Sequence, residues 1–483
     1  MRIFKSVSLS LLAPCLLALV GCDSNGAQEG AEVSFPRTGL ASQSVEVYKT
    51  DDDLFANFTK KVPGFGGVYN DELGRTTVLL TDLSNAEEAR AEVPRFLQEK
   101  FGIRGVDRST LVFKKAEHSF AELRNWDRAS VDVMDLTGVT QMDIDDAENK
   151  IVVGVSEKAF MSAVQAALKA KGLPEGAFDV RVIAPTVIDV LTLAEGERAA
   201  PTIPSATTLQ SRYRPVIGGL QIGFSGNRVC TLNSNVYRVT GGYFDFNIET
   251  GDPLFLTNSH CTDVFGAVDG RVAGQPLVND RIGYEAYDPP MLTSGQEPDC
   301  PPGRTCRWSD AALYRYDGGI SVGFGQIAKT NTGSTTISGR YDIMSAFSAY
   351  FFENVSPISK VGRTTGTSAD VVIKKCVRTN QFDSAGDTGR TMLCQVQSNY
   401  TSAGGDSGSP IFAKSTATDP DREAFLQGIH WGTARNIDQP GAPVLRTMSP
   451  IDMVGRDFYL GYDMTLAVCM FSSPSDNCKL FRG

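Results

Sequence analysis

Histidine is scarce in this chain, at three in 483 residues. Cysteine and histidine do not fall in the close pairs that a zinc module needs, so neither a metal nor a cofactor is expected. Positive charge is also short. The 46 Lys and Arg residues stand against 56 Asp and Glu, a formal net charge of -10, which excludes the basic surface that nucleic acid or anionic lipid would require. Cysteine is missing between Cys22 and Cys230. The apolar run Val7 to Val20 is too short to span a bilayer as a stable helix. What remains is a composition 41% hydrophobic, over a length too great for one ordinary core. That implies a soluble globular protein of two or three domains.

The N-terminus carries an export signal. Arg2 and Lys5 precede the apolar run, and Leu19-Val20-Gly21-Cys22 follows it. This end resembles a bacterial lipobox. The resemblance implies cleavage after residue 21, a lipid on the Cys22 sulfur and a flexible stretch over residues 22–45. Such a protein is anchored in the cell envelope, in the periplasm or at the cell surface.

With Cys15 removed and Cys22 lipidated, eight of the ten cysteines remain (10 − 2), all beyond residue 229. An even number in an exported chain reads as disulfides. Bridges between sequence neighbours are expected: Cys230 with Cys261, Cys300 with Cys306, Cys376 with Cys394, and Cys469 with Cys478.

Composition divides the chain further. Residues 194–214 are rich in Ala, Pro, Ser and Thr without an apolar period, which marks a linker. Before it, residues 46–193 alternate strand-like and helix-like runs, among them "GFGGVYNDELGRTTVLLTD" and "NAEEARAEVPRFLQEKFG", and predict an α+β domain. Here His118 reads as a surface residue and the acidic run Asp143 to Glu148 as a solvated turn. After the linker, residues 215–483 consist of short β-rich segments between Gly, Asp and Asn turns. They predict an all-β barrel or sandwich, with one helix near "SPIDMVGRDFYL".

Three segments of this β half carry chemistry. "LTNSHC" places His260 at a strand end, "SDAAL" places Asp310 just before a buried strand, and "GGDSGSP" sets Ser407 in a glycine-framed turn. A serine hydroxyl needs a base to act as a nucleophile, and an acid fixes the tautomer of that base. The three segments, in this order, closely resemble those of the chymotrypsin superfamily. "KVGRTTG", residues 360–366, is similar to bacterial members such as streptogrisins and α-lytic protease. The resemblance implies two six-stranded β-barrels, with His260 and Asp310 from the first and Ser407 from the second. It also implies an oxyanion hole of the Gly405 and Ser407 N–H groups, and protein or peptide substrates. "RPVIGGLQIG" resembles an activation region, but Pro215 stands where a new terminus would fall, which leaves the partner of Asp406 open.

The N-terminal domain resembles the propeptides of these proteases, which assist folding and inhibit the enzyme; an unrelated tethering domain is the alternative. "GIHWG" resembles the S1 wall of glutamyl endopeptidases, so His430 and Ser402 are expected to bind an acidic P1 side chain. Glu195 and Glu197 in the linker are then the expected self-cleavage sites. A pocket for small or apolar residues and a catalytically silent binding protein are the competing readings. The oligomeric state is open.

Overall fold

The computed structural model describes residues 50–101, 103, 105–194, 207–242, 245–248, 253–346, 356–415, 419–434, 444–462, 464–469 and 478–480. The expected export signal, Cys22, Glu195 and Glu197 lie outside them. Among the described residues no helix is long and apolar enough to cross a membrane.

Residues 50–182 form an α+β body around its own apolar core. Phe55, Phe58, Phe65, Phe96, Phe101 and Phe120 pack ring against ring there. This large aromatic burial suits a body that has no disulfide to restrain it. The expected strands appear as Phe65–Asn70 and Thr76–Leu80, and the helix as Ala86–Phe101, which runs through Pro94. A second sheet joins Val139–Asp145 antiparallel to Lys150–Val155, with Phe178–Val182 parallel beyond it. Helix Phe120–Ala129 begins at a capping box in which Ser119 and Glu122 satisfy each other's backbone N–H.

The β half makes two closed rings. In the first, Gln221–Phe224 pairs with Arg228–Thr231, whose continuation bonds to Leu254–Thr257 through Asn233, Ser234 and Leu256. The ring then passes through Ala312–Tyr316, Arg281–Tyr287 and Val272–Gly274, and returns to Gln221–Phe224. The second runs Pro357–Gly362, Gly366–Asp383, Gly386–Ser398, Leu445–Pro450, Glu423–Ala434, Pro410–Lys414 and back to the first strand. Each contains six antiparallel strands, so closure leaves neither barrel with an open edge. Helix Ile451–Tyr462 follows the second barrel.

Three disulfides join Cys230 to Cys261, Cys300 to Cys306 and Cys376 to Cys394. Cys469 and Cys478 stand opposite each other in a strand pair, but their side chains lie outside the described residues.

The acidic run Asp143 to Glu148 departs from the expected solvated turn. Asp143, Asp145 and Asp146 are buried, because Lys374 of the second barrel reaches Asp145 and Lys375 reaches Asp146 at 2.6 Å. A charge run looks solvated until a partner of opposite sign covers it. His118 is likewise half-buried, edge-on to Trp126 with centroids 5.0 Å apart.

Candidate active site

The buried strand Leu254–Thr257 ends in one 3-10 turn, Ser259–Cys261, which carries His260. Two restraints hold this turn: the Cys230–Cys261 bridge and a bond from the Ser259 hydroxyl to Asp288 at 2.7 Å. Asp310 leads into the buried strand Ala312–Tyr316. The chain before it is tied to helix Ile451–Tyr462 by Asp457, which accepts from the Trp308 and Ser309 N–H groups at 3.1 and 2.7 Å. The Ser449 hydroxyl accepts from the Asp310 N–H at 3.1 Å and donates to Gln395 Oε1 at 2.8 Å. These supports were not legible as site residues.

His260 Nδ1 lies 2.6 Å from Asp310 Oδ2, and Nε2 lies 2.8 Å from Ser407 Oγ. Asp310 Oδ1 also accepts from the His260 backbone N–H at 3.1 Å. Burial disfavours the Asp310 charge, but His260 beside it and the bonds it donates hold the carboxyl below its ordinary range. The arrangement leaves Nε2 facing the serine oxygen.

The turn bearing Ser407 needs its glycines. Gly405 and Gly408 have φ of 89° and 88°, in the left-handed region that other residues rarely enter. A Cβ on Gly408 would lie 2.1 Å from the Thr231 carbonyl oxygen. Between them, Asp406 turns inward to Lys360, whose Nζ is 2.8 Å from Asp406 Oδ2. Asp406 also accepts from the Thr365 hydroxyl at 2.6 Å and from the Thr364 and Ala403 N–H groups at 2.8 and 3.1 Å. Burial opposes the Asp406 charge, yet Lys360 and these donors hold its carboxyl low. In the uncut chain an internal lysine thus pairs the acid. Lys360 opens the "KVGRTTG" segment, so the signal was present in the sequence without its meaning.

A main-chain segment already occupies the cleft. Thr186–Ile188 pairs antiparallel with the barrel strand Glu423–Ala434, with Ile188 opposite Gly432 and Val187 opposite Thr433. Beyond it, Leu191–Thr192 pairs with Arg228–Thr231 of the first barrel. Between these two ladders stands Asp189. Its carbonyl oxygen accepts from the Gly405 N–H at 3.1 Å and from the Ser407 hydroxyl at 2.8 Å. Its N–H donates to the Trp431 carbonyl at 3.3 Å.

The Asp189 side chain enters a pocket built from His430, Ser402 and Thr433. His430 Nε2 lies 3.0 Å from Oδ2, the Ser402 hydroxyl 3.1 Å and the Thr433 hydroxyl 2.5 Å. Tyr400 sits behind, its hydroxyl 2.9 Å from His430 Nδ1. Burial works against the Asp189 charge, but the bonds from His430, Thr433 and Ser402 hold its carboxyl below the ordinary range. His430 and Ser402 were expected at this pocket; Thr433 was missed, although it stands three residues after His430 on the same strand. Asp189 was missed too, its one signal being an acid inside an extended β-branched run.

Among the described residues, the one His, Cys, Asp or Glu cluster tight enough for a metal is Cys230, His260 and Cys261. Its sulfurs are joined to each other and both His260 nitrogens are engaged, so it offers no ligand set.

No protein-family model matches the chain, and no curated protein matches it. Solved structures do. Thermobifida fusca protease A aligns at 16% identity and TM-score 0.32, over 52% of this chain and 98% of its own. A glutamic acid specific serine protease, described as using a histidine triad in substrate binding, aligns at 22% identity and TM-score 0.33 over the same shares. A Nocardiopsis protease aligns at 17% identity and TM-score 0.33, again over 52% and 98%. Over about half of its length, then, the chain is similar in fold to chymotrypsin-like bacterial serine proteases.

Proposed function

We propose that the chain is a serine endopeptidase that cleaves peptide bonds after acidic residues, made as an exported lipoprotein precursor with residues 46–193 as its propeptide. The observation that carries this reading is the meeting of a peptide carbonyl with both the Ser407 hydroxyl and the Gly405 N–H, beside a hydrogen-bonded His260 and Asp310.

The chemistry follows from these contacts. His260 Nε2 takes the Ser407 proton as Oγ attacks the carbonyl carbon, and Asp310 stabilises the imidazolium that forms. Negative charge then develops on the carbonyl oxygen, where the Gly405 N–H is already aimed. His260 passes its proton to the leaving amine, and water repeats the sequence on the acyl-enzyme. Ser407 supplies the hydroxyl and, in the hole, its own N–H.

The acidic preference rests on the pocket. His430, Ser402 and Thr433 offer three donors to a carboxylate, and such hydrogen bonds to a charged acceptor are strong. A small or apolar P1 residue would leave those buried groups unpaired. Export and lipidation at Cys22 place the precursor on the envelope, and loss of the N-terminal domain frees a soluble protease. A silent binding protein has no need for the three groups at bonding distance.

The test is a fluorophosphonate label together with a peptide library varied at P1. The expected result is a label on Ser407 that Ser407→Ala abolishes, with turnover after Glu and Asp. Turnover after Lys, Phe or Ala alone would leave a serine protease and remove the acidic preference.

A further inference from the structure

The segment that fills the cleft is held on both sides of one bond. Thr186–Ile188 lies on one barrel and Leu191–Thr192 on the other, so the chain crosses the site in an extended conformation as a substrate must. The peptide bond after Asp189 is the one whose carbonyl meets Ser407 and Gly405. The Asp189 carboxylate fills the acidic pocket, and the residue is 6% exposed. Glu195 and Glu197, the linker acids first expected as cleavage sites, come six and eight residues later in the chain (195 − 189 and 197 − 189).

We propose that the first substrate of this site is the chain's own Asp189–Val190 bond, and that the cut leaves Asp189 as a C-terminal carboxylate lodged in the cleft as an inhibitor. The inference rests on the serine endopeptidase reading above and adds the bond, the P1 residue and the consequence. Ser407 Oγ bonds to the Asp189 carbonyl carbon and the C–N bond to Val190 breaks. The Val190 nitrogen takes the proton from His260 and leaves as an amine. One water then cleaves the acyl ester, giving the Asp189 carboxylate and restoring the Ser407 hydroxyl. Peptide bond and water are thus converted to acid and amine with nothing else consumed.

Release of the acid side is opposed by the rest of the N-terminal body. Gln141 and Met142 pair with Thr379 and Arg378 of the second barrel, extending its sheet. Asp127 holds Arg378 at 3.0 Å, and Arg124 holds Asp299 at 2.5 Å. These contacts do not involve the cleaved bond, so the new C-terminus stays at high local concentration beside Ser407. Among the described residues the leaving side is held by the pairing at Leu191–Thr192 and by the Leu193 N–H, which donates to the Asn227 carbonyl at 3.0 Å, whereas Thr186–Ile188 pairs with two strands of the second barrel.

The test uses the full exported chain, as wild type, Ser407→Ala, Asp189→Ala and Asp189→Glu, sampled early. The N-terminal fragment is read by mass for its last residue. The expected result is a fragment ending at Asp189 in the wild type and none in Ser407→Ala. Cleavage at this bond should slow by about 100-fold or more in Asp189→Ala, since a pocket built to bind a polar group rejects its absence strongly, and persist in Asp189→Glu. Thermal unfolding of each variant reports whether it folds. A fragment ending at Glu195 or Glu197 instead would refute the inference and leave the endopeptidase reading standing, as would an uncut wild type that still hydrolyses acidic peptides. A cut after Asp189 in Ser407→Ala would assign it to another enzyme. The inhibitor half is tested on isolated protease with peptides ending in Thr-Val-Ile-Asp and Thr-Val-Ile-Ala. The first should inhibit at least about 100-fold more tightly, and equal inhibition would reject that half. Isolated protease inactive on every acidic peptide would sink the endopeptidase reading itself.

Discussion

The N-terminal body grips the barrels in two places that differ in kind. At the sheet junction, Gln141 and Met142 join Thr379 and Arg378, ringed by buried Arg and Asp side chains. In the cleft, the Asp189 carboxylate is held by the Ser402 and Thr433 hydroxyls and the His430 imidazole, and a backbone ladder holds the chain beside it. The junction has fixed charges matched to fixed charges, which suits contacts that persist. The cleft binds its carboxylate with hydroxyls and an imidazole, which suits an occupant that must be exchanged. Asp406 sharpens the contrast. It is buried in the same turn as Ser407 but belongs permanently to the chain, and it receives the Lys360 ammonium.

The largest effect should come from removing the reaction and leaving the junction alone. Ser407→Ala and His260→Ala are each expected to lower peptide hydrolysis by about 10⁴-fold or more, and Asp310→Asn by about 10⁴-fold, with unfolding temperatures unchanged. Stopped assays with an acidic P1 substrate measure this, and near-normal turnover in any of them would remove that residue from the mechanism.

Breaking the junction comes next. In the uncut Ser407→Ala chain, Arg378→Met leaves Asp127 without one of its two buried partners. The expected loss is about 3–5 kcal/mol, the range for a buried pair that loses one partner. Denaturant unfolding measures it, and a change below about 1 kcal/mol would show the junction to be held by its strands alone.

Asp299→Asn sharpens the same point through pH. Burial disfavours the Asp299 charge, but Arg124, Arg378 and Arg128 outweigh it and hold its carboxyl well below the ordinary range. A carboxyl held low in the fold adds stability that is fully present above its unfolded value of about 3.9 and fades as pH falls through the folded value. The stability gap between the parent chain and Asp299→Asn should therefore be widest above about pH 4 and close on further acidification. A gap constant with pH would place the effect in packing.

The smallest effect is expected in the cleft. Thr433→Val removes one of three donors to the acidic side chain, which should lower kcat/KM for an acidic P1 substrate by roughly 5- to 150-fold, equivalent to about 1–3 kcal/mol. Turnover of a substrate with Ala at P1 should rise or stay level. An equal fall for both substrates would make Thr433 a structural residue.

Much of the candidate site was legible because it is written locally. His260, Asp310 and Ser407 each sit in a short segment whose strand end or glycine turn dictates the local backbone. Gly405 and Gly408 adopt the positive φ that their lack of a Cβ allows. Three cysteine pairs close between sequence neighbours for the same reason: separations of 31, 6 and 18 residues make their loops short and easy to close. Alternating apolar residues and regular turns likewise determined that the second half is β. The remainder depended on pairs far apart in the chain. Nothing near Asp406 announces Lys360, 46 residues away. The run Asp143 to Glu148 reads as solvent-facing until Lys374 and Lys375 fold over it. Asp189 is an ordinary acid in an extended stretch until the two barrels close around it and set its carbonyl beside Ser407, 218 residues on. Sequence determines what each segment can do by its own torsions and polarity, whereas the partner of a buried charge is decided by which surfaces come to exclude water together.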